Sequence, residues 1–191
     1  MPKTSVFTIK EAGFLKELIR QKVPFMVVGL SAATLQGAPV VTQDIDLWFK
    51  DIEHPGIKKA LARVDGIYVP SFGLNPPTFA GDAVKLFDIV LTMHGLKSFD
   101  EEMQNSLEIP LGPYRLKVLK LERIIASKQA LNRPKDRRVL PVLKDALIAL
   151  RDLPRQYKAT EDKLTRLLDG DERTRPRQQF PHHRAARARI G

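Results

Sequence analysis

Two carboxylates alternate with two large apolar residues in Asp44-Ile45-Asp46-Leu47, and Trp48-Phe49 follow at once. A period of two is that of a strand, which sends Ile45 and Leu47 into a core and both acids out of the opposite face. Like charges side by side repel and resist desolvation unless a cation lies between them. The pair therefore demands a sheet with one part open to positive charge. Asp88, set among Leu86, Phe87, Ile89 and Val90, puts a third acid on what reads as another apolar strand, residues 85–91.

Upstream, Phe25-Met26-Val27-Val28 is a short apolar run stopped by Gly29, with a helical stretch expected over 31–36. A strand ending in glycine ahead of a helix offers backbone N–H groups to a phosphate. The same residues also allow plainer readings, Gly29 as a strand stop and Ser31 as a helix cap. Mg²⁺ takes oxygen ligands and is commonly held by one or two carboxylates together with substrate phosphates. Asp44, Asp46 and Asp88 are thus the candidate metal ligands and catalytic acids, with Asp88 also a candidate general base. The alternatives are a solvated edge pair for Asp44 and Asp46, and a buried cationic partner for Asp88.

The rest of the chain reads as α+β, a small mixed sheet with flanking helices followed by a basic helical module. An amphipathic helix over 8–22 opens with a capping box, Thr8 and Glu11. A helix is expected over 55–64 and a strand over 66–70, and residues 71–82, rich in Pro and Gly, read as a loop or irregular hairpin. A strand over 114–118 pairs with 107–109, and helices follow over 119–131, about 135–150 and about 154–168. The expected division is a sheet domain over 1–118, a helical module over 119–169 and a disordered basic tail over 170–191.

Charge follows that division. Residues 115–144 hold ten Lys and Arg against two acids, and residues 170–191 hold six Arg against two acids, within a formal net charge of +10. The chain before residue 115 is near neutral, so the excess is a local one and points to an anionic partner. Lys128 shares a helical face with Leu121 and Ile124, either snorkelling outward or reaching a polyphosphate. Arg133, Lys135 and Asp136 form a cluster at a helix start, either solvated around a capping Asp136 or meeting phosphates with Asp136 orienting one of them. His182-His183 reads as a solvated pair. With no cysteine, disulfides and thiolate chemistry are excluded. No apolar run approaches the ~20 residues of a membrane helix. The first ten residues lack a secretory pattern, so the expected location is cytoplasmic, with no membrane partner.

These residues together resemble the nucleotidyltransferase superfamily, whose core is the DNA-polymerase-beta-like palm. The shared pattern is an apolar residue and Gly29, a spacer, Asp44-x-Asp46, and a later acid, Asp88. The stretch 121–128 followed by Asn132-Arg133-Pro134-Lys135-Asp136 resembles the minimal branch, which holds antibiotic nucleotidyltransferases and the abortive-infection, toxin–antitoxin type. The likeness spans about residues 20–145 and departs at one place, Leu30, after which the hydroxyl comes at Ser31. The resemblance implies Mg²⁺-dependent transfer of NMP from an NTP such as ATP to a hydroxyl, with release of pyrophosphate. Gly29, Ser31, Lys128, Arg133, Lys135 and Asp136 would then bind nucleotide. The acceptor would be a tRNA end, a protein or a small molecule, and an antitoxin is an implied partner. The alternatives are a catalytically silent nucleotide-binding or toxin–antitoxin protein of the same fold, and a basic nucleic-acid-binding protein.

Overall fold

The computed structural model describes residues 7–171, with side chains to residue 152. The chain divides into two units, residues 1–150 and residues 151–191. In chain order the elements are α1 (Ile9–Arg20), β1 (Phe25–Val27), α2 (Gly29–Leu35), β2 (Ile45–Phe49), α3 (Pro55–Ala62), β3 (Ile67–Val69), β4 (Thr78–Ala80), β5 (Phe87–Val90), α4 (Phe99–Gln104), β6 (Leu107–Leu111), β7 (Tyr114–Val118), α5 (Leu121–Leu131) and α6 (Pro134–Asp171). The expected basic tail lies, from residue 172 onward, outside the described residues, as do His182 and His183.

Five strands form one mixed sheet in the order β5-β2-β1-β7-β6. β1 runs antiparallel to β2, with Phe25, Met26 and Val27 opposite Phe49, Trp48 and Leu47. It runs parallel to β7, where Leu119 N–H donates to the Val27 carbonyl at 2.9 Å. β2 is parallel to β5, with Asp46 directly beside Asp88. All three residues of β1 are buried, as expected of a central strand covered on both faces. β3 and β4 form a separate antiparallel ribbon, Tyr68 opposite Phe79.

The core grows from the apolar periods already visible in the chain. The capping box at Thr8 and Glu11 starts α1, which buries Phe14, Leu15 and Leu18. Phe14 meets Phe79 and Phe87 edge-on, with ring centroids 5.5 and 5.2 Å apart. Phe79 thus ties the β3–β4 ribbon to the core beside β5. Leu47 and Phe87, also fully buried, fix the two acid-bearing strands. Truncating Leu47 to Ala in such a core typically costs about 2–5 kcal/mol.

Three elements differ from the expectation. A second capping box, Ser98 with Glu101, starts α4 in a stretch where the sequence signal is weak. The helix is secured by Phe99 against Trp48 at 5.3 Å and by buried Glu102, which accepts from Arg123 Nε at 2.9 and 3.1 Å. β4 forms inside the stretch read as a loop or irregular hairpin, paired with β3 and anchored by buried Phe79 against Phe14 and Phe49. α6 covers both stretches read as separate later helices.

Candidate active site

Asp44, Asp46 and Asp88 open onto one cleft of about 630 Å³, which Gly29, Leu30, Lys128, Arg133, Lys135 and Asp136 also line. The sheet brings the acids there. Asp46 and Asp88 are register partners on parallel strands, so their side chains leave the same face. Ile45 and Leu47 are buried on the other face, as their alternation requires.

Gly29 is required by its contact with Asp46. Its φ is +64°, and a Cβ there would lie 1.8 Å from Asp46 Oδ2. The carboxylate therefore rests against bare backbone at the turn from β1 into α2. Val28 N–H donates to the Asp46 carbonyl at 2.9 Å and holds that turn against β2.

Among the described residues none of the three carboxylates has a hydrogen bond or a close ion pair. Burial, reinforced by the charges of Asp88 and Asp44 and opposed by Lys128 and Lys135, pushes the Asp46 carboxyl up to about 6. Burial and the Asp44 charge push Asp88 up as well, against Lys135. The trio is thus a site of net repulsion that a cation would relieve. Its donor set is all oxygen and anionic, which suits Mg²⁺. The three are not drawn into a ready-made ligand cluster: among the described residues no group of three or more His, Asp or Glu side chains is placed to hold a metal ion. Mg²⁺ here would need oxygens from a substrate as well.

Across the cleft the arrangement is the reverse. Asp136 is 0% exposed and accepts from Arg133 Nε at 2.6 Å and from Lys128 Nζ at 3.1 Å. Burial works to raise its pKa, but the bonds from Arg133 and Lys128 win and hold the carboxyl down to about 2. The same bond to Asp136 raises the Arg133 guanidinium. The chain reaches this geometry because Asn132, at φ 48°, closes α5 in the left-handed conformation and Pro134 opens α6 at once. Gln36 sets the start of α5: it accepts from Leu121 N–H at 2.9 Å and donates to the Leu119 carbonyl at 2.9 Å. One orphan N–H of the helix start is thereby satisfied.

Ser31 is the predicted residue that the structure does not bring to the site. It is 0% exposed, its Oγ donates to the Val28 carbonyl at 3.0 Å, and it does not line the cleft. Its hydroxyl closes the first turn of α2, and Leu30 takes the place at the cleft. Residues the sequence reasoning passed over also line the cleft: Thr42, Pro76, Pro77, Thr78 and His94 among them. The available signal was the absence of charge over residues 66–81.

Among solved structures with a similar course of chain is the antibiotic-resistance factor ANT(2'')-Ia in solution. It matches with a TM-score of 0.50 at 16% identity, over 86% of this chain and 98% of that one. A crystal structure of ANT(2'')-Ia in complex with adenylyl-2''-tobramycin gives a TM-score of 0.46 at 13% identity, over 76% and 95% of the two chains. No protein-family model matches the sequence. No curated protein matches it either. The fold is a nucleotidyltransferase-like one, with a five-stranded mixed sheet and six helices among the described residues. No described helix is long and apolar enough to cross a membrane.

Proposed function

We propose that the protein transfers NMP from an NTP to a hydroxyl acceptor and releases pyrophosphate. The observation that carries this reading is the opposition within one cleft: three carboxylates without a partner among the described residues, Asp46 of them against Gly29, faced by Lys128, Arg133 and Lys135. Such a division suits a reaction in which polyphosphate charge must be held on one side and a hydroxyl activated on the other.

Gly29, Leu30, Lys128, Arg133 and Lys135 bind the phosphates in this reading, and Asp136 orients Lys128 and Arg133. Mg²⁺ bound by Asp44, Asp46 and Asp88 with phosphate oxygens would neutralise charge developing on the transferred phosphoryl group. The acceptor oxygen bonds to the α-phosphorus as the bond from that phosphorus to the bridging oxygen of the β-phosphate breaks. The hydroxyl proton passes to Asp88 in this reading. Lys128 and Arg133 hold the departing pyrophosphate.

The test is incubation with α-labelled ATP, Mg²⁺ and a panel of acceptors comprising a small polyol, an aminoglycoside, bulk tRNA and a mixed protein fraction. Label transfer with stoichiometric pyrophosphate release is expected with one of them, and Asp44→Ala, its circular dichroism unchanged, should abolish both. Transfer that survives Asp44→Ala would remove the carboxylates from the mechanism.

A further inference from the structure

We propose that the acceptor is an uncharged hydroxyl compound with an apolar face, seated against the β3–β4 ribbon; this rests on the nucleotidyl-transfer reading of the cleft. Phe79 anchors β4 in the core against Phe14 of α1 and Phe49 of β2, and the neighbouring Pro76, Pro77 and Thr78 line the cleft together with Asp88 of the edge strand β5. Lys128 and Arg133 come from α5 and the start of α6, which follow β7 on the other side of β1. Asp46 on β2, Asp44 just ahead of it and Asp88 on β5 stand between the two.

An in-line displacement places the attacking oxygen opposite the leaving group. With pyrophosphate drawn to Lys128 and Arg133, the acceptor must approach from the ribbon. From the ribbon itself Pro76, Pro77 and Thr78 line the cleft. None is charged, and neither are any of residues 37–43 or 66–81, in a chain where 28% of residues are charged.

The loop that joins β3 to β4 extends that character: Phe72 is 84% exposed and Leu74 fully so. Two backbone bonds between Phe72 and Asn75, at 3.2 and 3.0 Å, close the ribbon tip that carries both. A polycationic acceptor needs carboxylates on its own side of the cleft. The acids lining the cleft are the central trio and Asp136, and Asp136 is already bonded to Arg133 and Lys128. A polyanion would gain nothing from this wall. An uncharged alcohol loses no charge solvation on entering it and covers exposed apolar surface.

The test uses the full chain with ATP and Mg²⁺, n-hexyl β-D-glucoside as the uncharged probe and tobramycin as the cationic one, with binding read by titration calorimetry. ATP affinity is measured first, and a wild-type protein that does not bind ATP would bring down the nucleotidyl-transfer reading and this inference with it. Given ATP binding, the glucoside should bind and tobramycin should bind at least tenfold more weakly. Phe72→Ser with Leu74→Ser, both at exposed positions, should weaken the glucoside about tenfold and leave ATP affinity unchanged. Thr78→Asp should reverse the preference by supplying the missing carboxylate. Tobramycin binding as tightly as the glucoside, no glucoside binding, or a serine double variant that binds the glucoside as wild type does would each overturn the proposal.

Discussion

Asp46 and Asp136 line the same cleft and differ in almost everything that decides what a carboxylate does. Asp136 is wholly buried and doubly bonded to cations, and its carboxyl is held down to about 2. Asp46 is half-buried, has no hydrogen-bond partner among the described residues, faces two other acids and is pushed up to about 6. The first is an acid whose own charge is answered within the fold. The second is left open at a cost in stability, and an open charged site persists where a ligand completes it. In the proposed reaction Asp136 builds the site and Asp46 works in it, and each half can be attacked separately.

The largest effect is expected at Asp46. Asp46→Asn removes a charge from the trio while keeping the shape beside Gly29, and turnover should fall on the order of a thousandfold or more. Stability in urea should stay level or rise, because repulsion with Asp44 and Asp88 is relieved. A variant that loses both activity and stability would place Asp46 among the structural acids.

Asp136→Ala should do the opposite. It leaves Lys128, whose side chain is 14% exposed, without its partner inside the fold. Removing one member of a buried pair typically costs about 3–5 kcal/mol. Urea denaturation should show a loss of that size, and ATP affinity should fall because Lys128 and Arg133 are no longer oriented. Unchanged stability would mean that water replaces the carboxylate, and the contrast with Asp46 would collapse.

Gly29→Ala tests the backbone side of the open half. The side chain would be strained at φ +64° and would collide with Asp46 Oδ2. Positive φ costs a non-glycine residue about 1–2 kcal/mol, to which the collision adds. In the double variant Gly29→Ala, Asp46→Ala most of the collision disappears and the backbone strain remains. A double-mutant cycle should therefore show coupling of about 1 kcal/mol or more. Strict additivity would mean that the two residues do not touch in solution.

The sequence made the open half of this comparison legible and the closed half only partly so. Alternation at residues 44–47 and the apolar setting of Asp88 were enough to put three acids at one place, because strand periodicity fixes the face each side chain takes. The capping box of α1 and the β6–β7 pairing were equally plain. The Lys128–Asp136 bond joins two helices across a two-residue corner whose angle depends on the left-handed Asn132, and no periodicity encodes that. Ser31 was misplaced because hydroxyl spacing from Gly29 does not tell which side of a first helical turn faces the core. The Phe79 anchor was hidden by the Pro and Gly around it, since turn signals describe the backbone and are silent about one aromatic side chain.

The finest distinction between the two acids lies in how stability responds to pH. Asp46 has a folded pKa near 6, raised above its ordinary value of 3.8. Between those values the folded state binds more protons than the unfolded one, so stability falls as pH rises through that window and stays lower above it. A shift of this size corresponds to up to about 2–3 kcal/mol. Asp136 has the opposite sign. Its folded pKa near 2 lies below 3.8, so its contribution is present above that value and is lost as pH falls towards 2. Urea midpoints between pH 7 and pH 4 should accordingly rise on acidification in the wild type and rise less in Asp46→Asn, where Asp88 alone of the two remains raised. The fall below pH 4 should be kept in Asp46→Asn and reduced in Asp136→Ala. A wild-type profile that is flat from pH 7 to pH 4 would show that Asp46 is already compensated in the free protein, and that it does not wait for a cation.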